Sequence, residues 1–143
     1  MFGIKDNSMD KKQVIAKVES LPEVSAFIDE KLEQAGCSMK VQMQIDVAVE
    51  EIFVNIASYA YEGKEGSAEI FFDINSETQA VITFVDEGVP YDPLKKDDPD
   101  VTLSANERQI GGLGIFMVKK TMDDMIYEYK DGKNCLTLIK KLV

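Results

Sequence analysis

The chain contains no histidine. That absence removes phosphohistidine chemistry, Ser-His-Asp triads and every His-ligated metal site from consideration. Cysteine is scarce as well. Cys37 and Cys135 have no metal-ligand spacing and are too few for a disulfide framework, so both read as reduced core residues of a cytoplasmic protein. No apolar run approaches the roughly 20 residues that span a bilayer. The start, Met1-Phe2-Gly3-Ile4-Lys5-Asp6, lacks the basic-then-apolar layout of a secretory signal, and no membrane association is expected. Positive charge is short too: 16 Lys and Arg face 26 Asp and Glu, a formal net charge of −10. Basic residues come in pairs (Lys11-Lys12, Lys95-Lys96, Lys119-Lys120, Lys140-Lys141) and never in a long run. Such a surface repels phosphate backbones, so direct binding of nucleic acid is not expected.

What remains is a globular composition. With 143 residues, 45% hydrophobic and 29% charged, the chain fits one domain over 1–143 with a core of its own. Residues 1 to about 10 precede the first patterned segment and are candidates for disorder. Gln13–Val18 alternates weakly, as a strand does. Ser20-Leu21-Pro22-Glu23 has the form of a helix start with Ser20 as N-cap, and Gly36 closes that helix. Ser38 opens a longer helix, expected to run to about Tyr61 with an apolar face of Val41, Ile45, Val49, Ile52, Phe53 and Ile56. Ala68–Ile74 and Ala80–Val85 read as strands around a polar hairpin. An irregular stretch from about 91 to 111 carries Pro93, Pro99 and an acidic cluster, the mark of a functional lid. Gly111-Gly112-Leu113-Gly114 leads into a third helix to about Met122, and Met125–Tyr129 and Leu136–Lys140 form a last hairpin around Asp131-Gly132. This order predicts an α+β two-layer sandwich: a mostly antiparallel sheet with helices on one face.

Three constellations carry chemistry. Glu51 and Asn55 are four apart on a helix and project side by side, a carboxylate and an amide that can hold Mg²⁺ or activate a hydroxyl. Asp86-Glu87-Gly88-Val89-Pro90 puts a carboxylate at a strand end, suited to the exocyclic amine of a base, with Gly88 allowing close backbone approach. Gly111–Gly114 running into a helix suits phosphate oxygens, through backbone amides and the helix N-terminus. It is neither a Walker sequence nor a dinucleotide fingerprint. Alone, each pattern also fits a plain role: two solvated polar residues, an ordinary turn, a glycine hinge. In this order they make up a metal ligand, a base reader, a cover and a phosphate cradle.

With these motifs the sequence resembles the Bergerat-fold (GHKL) ATPases, and within them the stand-alone anti-sigma-factor serine/threonine kinases. Glu51–Asn55 matches the N box, Asp86–Pro90 the first glycine box and Gly111–Gly114 the second. The resemblance covers nearly the whole chain after about residue 11. It implies ATP and Mg²⁺ as cofactors, with Asn55 as metal ligand and Glu51 as general base. Asp86 and Gly88 would serve the adenine, Gly112 and Gly114 the phosphates, and Arg108 the γ-phosphate unless it is a solvated lid residue. Tyr59 stands where relatives often carry His, and Glu50 precedes Glu51, so the base assignment rests on spacing from Asn55. The implied function is a protein serine/threonine kinase acting as an anti-sigma-type switch on a small anti-anti-sigma-like phosphoacceptor. A sigma factor and a second copy of the chain are further partners the resemblance allows. Two alternatives stay open: a non-catalytic, nucleotide-responsive protein-binding module, and a histidine-kinase-like catalytic domain acting in trans.

Overall fold

The computed structural model describes residues 10–95 and 112–143. In chain order the elements are β1 (Asp10–Ile15), α1 (Leu21–Ala35), α2 (Met39–Tyr59), β2 (Ser67–Ile74), β3 (Gln79–Asp86), α3 (Gly112–Thr121), β4 (Asp124–Lys130) and β5 (Lys133–Lys141). The five strands form one sheet in the order β1-β2-β3-β5-β4, and every neighbouring pair is antiparallel. Burial alternates along the central strands. One sheet face contributes Ala68, Ile70, Phe72, Ile82, Phe84, Leu136 and Leu138 to a hydrophobic cluster. Val24, Ile28 and Leu32 of α1, Ile45, Ala48, Val49, Ile52 and Phe53 of α2, and Ile115 and Val118 of α3 also belong to it. The α+β sandwich with helices on one face is therefore the architecture.

Local chemistry explains most element boundaries. Ser38 is extended, and its Oγ accepts from the Val41 amide (3.2 Å), which fixes the start of α2. Gly36 takes φ 73° and ends α1, with its amide bonded to the Glu33 carbonyl. Asp131 and Gly132 both have positive φ, as a two-residue turn between β4 and β5 requires.

Four sequence expectations need correction. The first strand is Asp10–Ile15, not Gln13–Val18: the chain leaves the sheet after Ala16, whose amide bonds to the Gly66 carbonyl, and turns through a 3-10 segment at Val18–Ser20. That segment brings the backbone into α1 already helical. Ser20 (φ −84°, ψ −7°) is therefore not extended and makes no side-chain cap bond. The second helix stops at Tyr59, with Ala60 as its cap, because the Ala60 carbonyl is taken by the Val89 amide. Cys135 lies on the sheet face opposite the helices and is half-buried, while Cys37 is half-buried against the core; both are free thiols. Burial raises the pKa of each, so neither has the character of an activated thiolate. Among the described residues, no helix is long and apolar enough to cross a membrane.

Candidate functional site

A cavity of about 120 Å³ opens between the C-terminal half of α2, the ends of β3 and β5, and the turn after β3. Its lining is mostly apolar, with Ile52, Ile56, Phe84 and Leu136, and its polar side chains are few: Asn55, Asp86 and Asn134, with Tyr59, Tyr91 and Tyr127 also in the wall. An apolar slot with a small number of fixed polar groups is the usual form of a small-molecule site.

Of the predicted site residues, all but Arg108 fall within the described part of the chain. Asn55 lines the cavity, and among the described residues its amide makes no hydrogen bond. One helical turn earlier, Glu51 is half-buried, whereas Glu50 beside it is exposed; burial differs between the two carboxylates that spacing from Asn55 told apart. The Glu51 carboxylate lies against Gly114 in the first turn of α3, where an added Cβ would overlap its Oε2. The first and third constellations therefore meet. Asp86 is 5% exposed at the end of β3 and lines the cavity. Its Oδ1 accepts from the Gly88 amide and from Asn134 Nδ2, both at 2.9 Å. Gly88 does make room, but for the protein itself: a Cβ there would run into the backbone of Ala60 at the end of α2. Gly112 is the first residue of α3. Arg108, Gly111 and the part of the expected lid beyond Lys95 lie outside the described residues. Tyr59 lines the cavity mouth with 48% of its surface exposed.

Sequence reasoning missed three residues. Asn134, 7% exposed, pairs across the sheet with Asp86. Tyr127 donates its hydroxyl to Asn134 Oδ1, and burial raises its pKa, which keeps that donor protonated. Tyr61 donates to the Ser67 carbonyl (2.6 Å) and accepts from the Glu87 amide (2.8 Å), tying the end of α2 to the strand end that carries Asp86. Its pKa too is raised, chiefly by burial. None has a local motif. Only the cross-strand register Asp86↔Asn134 could have pointed to the first.

The matching family model, histidine kinase-like ATPase domain, aligns with residues 14–140. The chain belongs to this ATPase family. Among curated relatives of this ATPase domain is the serine/threonine-protein kinase BtrW of Bordetella bronchiseptica, 26% identical over 101 residues, 71% of each chain. Another is the serine-protein kinase RsbW of Listeria monocytogenes, 28% identical over 103 residues; the match spans 69% of this chain and 66% of that one, so about two thirds of RsbW is represented. Solved structures agree on the fold. The RsbU and RsbW domains of Rv1364c from Mycobacterium tuberculosis superpose with a TM-score of 0.65 at 14% identity, covering 93% of this chain and 32% of that one. The histidine kinase domain of a blue-light activated histidine kinase from Erythrobacter litoralis gives 0.54 at 14% identity, covering 96% and 70%. At that identity the two structures speak for the fold alone.

The residues present fit a nucleotide with its cation. Among the described residues no cluster of three or more Asp, Glu, Cys or His could cage a metal. A free Asn55 amide is instead the sparse protein contribution that suits Mg²⁺, which keeps waters and takes substrate phosphates as ligands.

Proposed function

We propose that the chain is a cytoplasmic ATP-dependent protein serine kinase that switches a small phosphoacceptor protein of the anti-anti-sigma type. The observation that carries this reading is the meeting of Glu51 with Gly114. It sets a half-buried carboxylate at the N-terminal turn of α3, one turn along α2 from the unbonded Asn55 amide in the cavity wall. A helix N-terminus favours phosphate, and a carboxylate beside it can take a proton. In this reading Asp86 receives the exocyclic amine of adenine, and the amides at Gly112 and Gly114 face the phosphates. Asn55 is the protein's ligand to Mg²⁺, which offsets charge on the transferring phosphoryl group when bound. Arg108 and the segment 91–111 serve as γ-phosphate contact and cover. Glu51 accepts the serine proton as the serine oxygen attacks the γ-phosphorus; the bond from that phosphorus to the β–γ bridging oxygen breaks and ADP leaves. The serine kinase names carried by BtrW and RsbW support this choice over phosphorylation of histidine. A sigma factor and a second copy of the chain are the further partners of this reading.

Two measurements test it. Mg·ATP at about 100 times its dissociation constant should stabilise the protein by about 2.7 kcal/mol. Glu51→Gln should keep that stabilisation while losing phosphate transfer to a cognate serine-bearing partner. Transfer at the wild-type rate by Glu51→Gln would remove the base assignment, and no stabilisation by millimolar ATP would remove the nucleotide site.

A further inference from the structure

We propose that Asn134 is the positioning residue of the base site: its side-chain amide locks Asp86 in one orientation and fastens the turn that walls the cavity to the same point. This rests on the reading of Asp86 as the base-binding carboxylate.

The amide of Asn134 is fully used. Nδ2 donates to Asp86 Oδ1 and to the Val89 carbonyl, both at 2.9 Å, with the Gly88 carbonyl at 3.4 Å. Oδ1 accepts from the Tyr91 amide (3.2 Å) and from the Tyr127 hydroxyl. A backbone carbonyl can only accept and a backbone N–H can only donate, so exchanging the amide's O and N would lose both bonds. The orientation of Asn134 is thus dictated by the backbone around it.

That orientation determines what Asp86 can do. With a donor from Asn134 and a donor from the Gly88 amide, Oδ1 is committed as an acceptor. Among the described residues Oδ2 has no hydrogen-bond partner, and Asp86 lines the cavity. One carboxylate oxygen is therefore anchored and the other left for a ligand donor. Being saturated, Asn134 has no donor or acceptor to spare for a base, so it acts through Asp86 and not on the ligand. The same amide holds Val89 and Tyr91, which line the cavity together with Pro90. A base amine on Asp86 and the backbone of Val89 and Tyr91 consequently share one anchor. Buried networks of this kind fix geometry when every member is satisfied.

The test compares ATP with purine riboside triphosphate, which lacks only the exocyclic amine, by calorimetry. Wild-type protein should prefer ATP by about 10-fold or more, because a site built around a hydrogen bond discriminates against a ligand that lacks it. In Asn134→Ala the Asp86 carboxylate is free to turn, and the preference should fall to about 2-fold or less, with the fold checked by circular dichroism. Tyr127→Phe removes one bond to Oδ1 and leaves Nδ2 in place; it should keep the fold and lower the preference by a smaller factor. Equal weakening of both nucleotides in folded Asn134→Ala, with the preference kept, marks a merely structural role and overturns the proposal. If Asn134→Ala does not fold, an unchanged preference in Tyr127→Phe overturns it instead. A wild-type protein that binds ATP without preferring it overturns the base-reader assignment and this proposal together, whereas loss of preference in the variants alone supports both.

Discussion

Asp46 should make this protein less stable as pH rises through neutrality. It sits on α2 facing α1, where its Oδ1 is buried with no hydrogen-bond partner. Burial raises its carboxyl pKa from the ordinary 3.8 to about 7, and Asp29 and Glu33 on α1 push in the same direction. Gln42 is the neutral donor among these acids, at 3.1 Å from Asp29 and 3.4 Å from Glu33. The native state thus holds a proton that the unfolded chain has largely released above pH 4. The stability it confers is complete below the unfolded value and is lost as pH climbs through the folded one. A lone carboxyl shifted this far would lose about 2 kcal/mol between pH 5 and pH 7. Asp46 is only partly buried, so solvent screening leaves about 1 kcal/mol, or about 3–4 °C in melting temperature for a chain of this size. Asp46→Asn keeps the volume and removes the titration. Urea unfolding at pH 5, 6, 7 and 8 should show the variant within about 0.5 kcal/mol of wild type at pH 5 and about 1 kcal/mol more stable at pH 8. A difference between the two proteins that stays constant from pH 5 to pH 8 would refute the reasoning.

Two glycine substitutions should separate structure from chemistry. Gly88→Ala drives a Cβ into the rigid backbone of Ala60 and should cost about 1–3 kcal/mol in a denaturant melt, while Gly114→Ala meets only the movable end of Glu51. The latter should therefore melt within about 1 kcal/mol of wild type yet transfer phosphate at least about 10-fold more slowly. Equal stability losses at both sites would contradict this contrast. Tyr61→Phe deletes a hydroxyl that bonds both Ser67 and Glu87, and should lose about 1–2 kcal/mol of stability with a weaker hold on nucleotide. A neutral melt would mean the hydroxyl ties nothing down.

The sequence by itself determined the architecture and supplied most residues of the candidate site. Periods of 3.6 and 2 marked the helices and strands, because one face of each must be apolar to reach a common core. Ser38, Gly36 and Asp131-Gly132 marked ends and turns through backbone requirements that few residues satisfy. The Glu51–Asn55 spacing and the Asp86 strand end were legible for the same reason: each depends on neighbours within one element. Where two local signals competed, reading failed. Ser20 looked like a cap only because nothing in the sequence announced the 3-10 turn that enters α1 already helical.

Everything that joins one element to another was decided by tertiary structure. Spacing from Asn55 picked Glu51 over Glu50, but that Glu51 lies half-buried against Gly114 of α3 while Glu50 is exposed came only with packing. Gly88 made room for Ala60 because the end of α2 passes over β3, a contact between residues 28 positions apart. Asn134 joined Asp86 across a register that no local pattern encodes, since strands β3 and β5 are separated in sequence by α3 and β4. Asp46 looked like one more solvated acid on a helix, yet packing of α1 against α2 gave it a partly buried, proton-holding environment. Local backbone and periodicity rules act within a few residues, whereas burial, register and shared hydrogen-bond donors exist only after distant segments have met.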